Sequence, residues 1–160
     1  MPIVLVRIDD RLIHGQVTVG WGSFLNPDRI LLVSNEIAQD KWEKDLFESC
    51  APFNIAVSIL PVKEAAETLI NNYFAHERII ILAENPGIIN ELLREGVSFP
   101  QVNIGGMHFR ENKKKLLSYI YVDEDDIAHF RRIQEHKIAL VCQDLPQAKK
   151  ENLADMLDKL

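Results

Sequence analysis

Short apolar runs alternate with longer amphipathic stretches along most of the chain. Ile3 to Val6, Arg29 to Val33, Ile55 to Leu60, Arg78 to Ala83, Val102 to Ile104, Leu116 to Val122 and Ile138 to Cys142 are short and largely continuous in their apolar character. Runs of this kind predict strands buried on both faces. Between them, apolar residues recur at helical spacing: Val17, Trp21, Phe24 and Leu25; Trp42, Leu46 and Phe47 within Ile37 to Cys50; Val62, Ala65, Ala66, Leu69, Ile70 and Tyr73. The Trp42, Leu46, Phe47 stripe is expected to be core. Pro86 suits the first turn of a helix reaching Glu95, and Gly96 ends it. Asp123 to Asp126 supply a cap and an acidic first turn to a helix whose buried face is Ile127, Phe130 and Ile133; Leu153, Met156, Leu157 and Leu160 mark a closing helix. Strand and helix in alternation predict an α/β fold, a doubly wound, mostly parallel sheet of six or seven strands with helices on both faces. Residues 1–160 read as a single domain, a length at which roughly two thirds of the unfolded surface is buried on folding.

Composition narrows the class. With 47% hydrophobic and 26% charged residues and a formal net charge of −6, the chain has the profile of a soluble globular protein and a poor one for reading a phosphate backbone, so no nucleic-acid partner is expected. No apolar stretch is long enough for a membrane span, and the run after Met1 and Pro2 is too short for a signal peptide, so a cytoplasmic location is expected. Cys50 and Cys142 lack ligand or redox spacing and read as reduced thiols; no metal and no cofactor is expected. Neither a glycine-rich dinucleotide fingerprint nor a phosphate-binding P-loop is present.

The chemistry concentrates in Arg7 to Trp21. A strand-to-helix loop, Asp9 to His14, holds two carboxylates, an arginine and a histidine, at the sheet edge where open α/β folds bind ligands. His14 precedes Gly15 at the expected helix start, where unpaired N–H groups favour an anion. Arg11 brings a planar fork suited to a phosphoryl group, and Gly15 and Gln16 complete that wall. A neutral imidazole offers one nitrogen as nucleophile while a carboxylate, Asp9 or Asp10, holds the other. The competing reading is a surface or capping histidine, with Arg7, Asp9, Asp10 and Arg11 as simple ion pairs. Asn35, after the second strand, is expected on the same edge, as pocket wall or helix cap. Gly105, Gly106 and His108 form a loop after the fifth strand and are further candidates for the phosphoryl pocket, with His108 alternatively a plain loop residue. Arg110, Lys113, Lys114 and Lys115 make the one concentrated basic patch, either a solvated loop or a lure for an acidic partner. His76, His129 and His136 are expected to be exposed.

The string R-I-D-D-R-L-I-H-G-Q-V, Arg7 to Val17, resembles the signature of the IIB component of the mannose/fructose/sorbose family of the phosphoenolpyruvate-dependent sugar phosphotransferase system. V-N-I-G-G-M-H, Val102 to His108, resembles a second family segment, with Gly106 where asparagine is common. Gln143 to Pro146 resembles a late glutamine-x-x-proline element. The resemblance spans nearly the whole chain. It implies that His14 accepts a phosphoryl group from a phosphohistidine of a IIA protein and passes it to a sugar held by the membrane permease components IIC and IID. Arg11 would neutralise phosphoryl oxygens, and Asp9 would orient Arg11 or the loop. The protein would then work in the cytoplasm, peripherally associated with the permease, and a homodimer stays open. Two other classes remain: a phosphorylation-dependent regulator of the same fold with no sugar transfer, and a small-anion-binding module whose His14 only hydrogen-bonds.

Overall fold

The computed structural model describes residues 3–160; Met1 and Pro2 lie outside the described residues. The strands are β1 (Ile3–Asp9), β2 (Arg29–Val33), β3 (Ala56–Leu60), β4 (Ile79–Ala83), β5 (Gln101–Gly106), β6 (Lys114–Leu117), β7 (Ile120–Val122), β8 (Ala139–Cys142) and β9 (Glu151–Asn152). A π-helical segment, Gln16–Trp21, runs directly into α1 (Gly22–Leu25). The other helices are α2 (Asn35–Gln39), α3 (Lys41–Ser49), α4 (Val62–Ile70), α5 (Pro86–Arg94), α6 (Glu124–Glu135) and α7 (Leu153–Leu157).

The main sheet has seven strands in the order β3-β2-β4-β1-β5-β8-β9. All neighbours pair in parallel except β8 with the short β9, as the alternating pattern predicts. Strand periodicity then divides the core in two. Ile30, Leu32, Ile80 and Leu82 face one side and pack with Leu12, Ile13, Val17 and Trp21. Leu31, Val33, Ile79 and Ile81 face the other, against Ala65 and Ala66 of α4, Ile89 of α5, Phe130 and Ile133 of α6 and Leu153 of α7. Each fully buried Leu or Ile contributes about 1.5–3 kcal/mol of transfer free energy, so these doubly covered strands carry the stability.

Several elements differ from the pattern-based expectation; among them, β5 runs on through Gly105 and Gly106 instead of ending at Ile104, and α7 ends at Leu157, leaving Leu160 outside it and 56% exposed. The β1 strand continues through Arg7, Ile8 and Asp9, because Arg7 and Asp9 fall on one face of the strand and pair with each other at 3.3 Å. Leu116 to Val122 is not one strand: it folds back as the second half of an antiparallel β6–β7 hairpin, with Ser118 and Tyr119 in the turn. The stretch Ile37 to Cys50 is broken at Asp40, whose carboxylate caps α3 by accepting from the N–H groups of Trp42 and Glu43. On α3 the expected core stripe is exposed: Trp42 is 73% and Leu46 45% accessible, and only Phe47 packs against the core. The α4 helix stops at Ile70, since Asn72 turns left-handed, and Tyr73 lies outside it in solvent.

The exposed α3 face generates a stability contrast. In urea unfolding, Trp42→Ala is expected to change stability by no more than about 0.5 kcal/mol, whereas Phe130→Ala, at a fully buried position, should cost about 3–5 kcal/mol. A large loss from Trp42→Ala would mean that the α3 face is covered in solution.

Candidate functional site

Chain connections from β1 lead toward β2 and β4, those from β5 toward β8. The crevice between the carboxyl ends of β1 and β5 is therefore a topological switch point, where open α/β sheets bind ligands. Asp9 at the end of β1 pairs with Gly106 at the end of β5. Leu12 takes a left-handed conformation (φ 63°), and its side chain and that of Ile13 are buried, so the loop carrying Asp10, Arg11 and His14 is anchored at its middle.

The Asp9 side chain, fully buried, is the centre of the site. Its Oδ1 accepts from the backbone N–H (3.1 Å) and Nε (3.0 Å) of Arg11. Its Oδ2 accepts from Nη2 of Arg11 (2.9 Å) and from Nη2 of Arg7 (3.3 Å), and lies 3.0 Å from Nε2 of His14. Burial pushes the Asp9 carboxyl up, but hydrogen bonds from His14 and Arg11 and the charge of Arg7 outweigh it and hold the pKa at about 2. An ionised carboxylate only accepts, so Nε2 of His14 carries the ring hydrogen. Nδ1, 3.2 Å from the N–H of Gln16, is the unprotonated nitrogen. Arg11 is fixed further by Oε1 of Gln16 at 2.6 Å, and its side chain remains one-third exposed.

Behind Asp9 stands Arg7, which the sequence reading left as a bare ion pair. It is fully buried. Nη1 donates to the Asn103 side chain and to the Gln143 carbonyl (2.9 Å), Nη2 also to the Asp144 carbonyl (2.8 Å), and the guanidinium lies 5.2 Å from the ring centre of Trp21. Burial pulls its pKa down to about 10, partly offset by Asp9, so Arg7 keeps its charge at neutral pH. A Cβ on Gly105 would overlap this guanidinium, and one on Gly106 would come within 2.8 Å of Asp9 Oδ1. These two glycines admit the buried arginine and carboxylate. Gly15 is different: its φ of −56° is open to any residue and a Cβ would meet nothing within 4 Å, so neither sterics nor backbone requires glycine there.

The remaining candidates separate into two groups. Asp10 is bonded to His108 rather than to His14: it accepts the backbone N–H of His108 at 2.7 Å, with a further hydrogen bond from His108 Nδ1. Asn35 is neither the cap of α2, which is Ser34, nor a neighbour of His14: its Oδ1 caps α4 by accepting from the Val62 N–H at 2.9 Å. The basic patch is not uniform. Lys113 is paired with Asp126 at 3.0 Å, Arg110 lines a polar cavity with Asp10 and Glu84, and Lys114 and Lys115 are exposed. His129 is half-buried, bonded to Asn90, contrary to the expectation of exposure; His76 and His136 are exposed. Residues missed in the sequence, Asn103, Asp144 and Trp21, all serve Arg7. Gln143, whose motif was visible, offers its backbone carbonyl and ties its own loop through Nε2 to the carbonyls of Pro146 and Ala148.

Residues 3–160 match the family described as PTS system sorbose subfamily IIB component. The chain belongs to this family. It is 36% identical over 160 residues to the sorbose-specific EIIB component of Lacticaseibacillus casei, covering all of this chain and 96% of that protein. It is equally 36% identical to the mannose-specific EIIAB component of Escherichia coli K12, of which it spans 50%. The crystal structure of the IIBSor domain of the sorbose permease from Klebsiella pneumoniae superposes with a TM-score of 0.93 at 31% identity, covering 99% of this chain and 98% of that one. The chain is thus a phosphotransferase component with a phosphocarrier role in sugar uptake. Among the described residues, no helix is long and apolar enough to cross a membrane.

The depressed pKa of Asp9 sets a pH dependence. Because the folded value, about 2, lies below the ordinary 3.8, its contribution to stability is fully present above about pH 4 and disappears as pH falls through about 2. The gap corresponds to about 2 kcal/mol. The stability difference between parent and Asp9→Asn should narrow by that order between pH 5 and pH 2 in urea titrations; a difference constant across the range would show that Asp9 is not held ionised by its partners.

Proposed function

We propose that His14 is the phosphoryl acceptor, loaded through Nδ1 from a phosphohistidine of a IIA-type donor and discharged to a sugar presented by membrane permease components of the IIC and IID kind. The observation that carries this reading is the asymmetry of the His14 ring: Nε2 is held by a buried carboxylate while Nδ1 keeps its lone pair, with the Arg11 fork on the same carboxylate. During loading, the bond from phosphorus to the donor's nitrogen breaks as the bond to Nδ1 forms, and Asp9 stabilises the positive charge arising on the ring. Arg11, held through Nε and Nη2 by Asp9 and Gln16, offers phosphoryl oxygens its charge and the donors of Nη1. Transfer of this kind depends on positioning and charge stabilisation more than on further covalent help. The IIAB name of the mannose-specific relative supports a IIA-type donor. The protein would act in the cytoplasm, against the permease. The sugar is left open, since the relatives are named for sorbose, fructose, mannose and N-acetylgalactosamine.

Incubation with phosphorylated IIA is expected to add one phosphoryl group at His14, stable in alkali and labile in acid; intact mass and peptide mapping decide it. Phosphate on His108 with His14 untouched would overturn the assignment. His14→Ala should abolish loading, checked with a thermal midpoint to exclude unfolding.

Arg11→Lys keeps charge but loses the fork, and should slow loading; Arg11→Gln should slow it by about 10²–10³, the usual effect of removing one preorganised charge-stabilising donor. Parental rates in Arg11→Gln, by rapid quench, would refute the role.

A further inference from the structure

Discharge to a sugar poses a chemical demand that the His14 cluster does not meet. The attacking hydroxyl must lose its proton as its oxygen bonds to phosphorus. Arg7 and Arg11 have no acceptor to offer, and Asp9 is already occupied on both oxygens by Arg7, Arg11 and His14. A general base, if this chain supplies one, must come from beside the cluster.

A cleft of about 260 Å³ adjoins it, running from Arg11 to the β6–β7 hairpin and lined also by His108, Phe109, Ser118, Tyr119 and Tyr121. Phe109 and Tyr121 meet edge to face, centroids 5.5 Å apart, and Phe109 is 63% exposed. Aromatic walls with a few polar groups suit the apolar C–H face and hydroxyl rim of a sugar ring. His108 stands on this cleft in a defined state. The Asp10 carboxylate takes the hydrogen of its Nδ1 and of its backbone N–H, while the Asp10 N–H is tied to the Gly106 carbonyl at 3.0 Å. In the neutral ring Nε2 therefore keeps its lone pair, on a side chain that is 62% exposed. Tyr119, whose phenol burial pushes up to about 12, stays protonated and does not compete as a base.

We propose that the acceptor sugar, presented by the permease, places its reacting hydroxyl in this cleft between Arg11 and His108, and that His108, held by Asp10, is the general base of the second half-reaction. The inference rests on the phosphocarrier reading above. As the bond from sugar oxygen to phosphorus forms, the bond from phosphorus to His14 Nδ1 breaks and returns its electron pair to the ring. The hydroxyl proton goes to Nε2 of His108, where Asp10 stabilises the imidazolium. The charged and titratable groups around His108 are Asp10, Arg11, Tyr119 and Tyr121, with Arg110, Glu84, Glu36, Lys113, Asp123, Asp126 and His129 on the cavity behind Asp10.

The test separates the half-reactions. Parent, His108→Ala and Asp10→Asn proteins are loaded from phosphorylated IIA and mixed by rapid quench with membrane vesicles carrying the IIC and IID components of the cell that makes this protein, and with sorbose, mannose, fructose or N-acetylgalactosamine. His108→Ala should slow sugar-dependent discharge at least tenfold more than it slows loading, with Asp10→Asn between it and the parent. Parental discharge should fall as pH is lowered, and His108→Ala should lack that dependence. Discharge of His108→Ala at the parental rate, or equal losses in both half-reactions with a lowered thermal midpoint, would overturn the assignment and leave the carrier reading intact. A parent that does not load on His14, or loads and discharges to none of the sugars, would overturn both.

Discussion

One buried carboxylate organises this molecule's chemistry. Asp9 is inaccessible to solvent, yet ionised, because two guanidinium groups and an imidazole converge on it. A carboxylate so placed costs several kcal/mol in desolvation unless its partners are already in position. The fold meets that condition locally: Arg7 and Asp9 project from the same face of β1, two residues apart, and Arg11 is brought back onto Asp9 by the turn at Leu12. The same carboxylate then selects the tautomer of His14. Stability and reactivity thus draw on one set of bonds, and weakening Asp9 would be felt in both.

Apolar runs made the fold legible. Strands covered on both faces leave continuous Ile, Leu and Val, and six of the seven runs became strands of the main sheet with boundaries shifted by a few residues. The errors arose where a side chain's fate depends on distant partners. The α3 stripe has helical periodicity, but among the described residues Trp42 and Leu46 stay largely open to solvent. Periodicity reports that a face is apolar without reporting that it is buried. The hairpin was hidden for a related reason, since Leu116 to Val122 is apolar throughout and no glycine or proline marks its turn at Ser118 and Tyr119.

Within the site, the local loop was readable and its support was not. Asp9, Arg11 and His14 are close in sequence, so their convergence follows from one turn. Arg7 is held by Asn103, Gln143 and Asp144, roughly a hundred or more positions away, and an arginine after an apolar run looks like a strand's charged boundary. The usable signal was the pair Gly105-Gly106: β5 passes so close to β1 that any side chain at 105 would collide with the guanidinium. Asn35 shows the opposite failure. Its position at the sheet edge was read correctly, but its amide is taken by the α4 backbone.

Charge accounting explains why two adjacent carboxylates do not defeat an anion site. Arg7, Arg11 and Asp9 together leave one net positive charge beside His14, a favourable field for a phosphoryl group that brings between one and two negative charges. A second carboxylate turned into the same space would cancel it, and at about 4 Å would repel the phosphoryl group by roughly 4 kcal/mol for an effective dielectric of about 20. Asp10 is prevented from doing so by geometry: its backbone N–H is bonded to the Gly106 carbonyl and its carboxylate to His108. Gly106 admits Asp9 through its missing side chain, while its backbone carbonyl, which any residue would offer, holds the Asp10 N–H. An asparagine side chain there would meet Asp9 Oδ1 within 2.8 Å at its first carbon. Glycine at 106 leaves room for the Asp9 carboxylate, and the bonds to His108 keep the Asp10 carboxylate engaged.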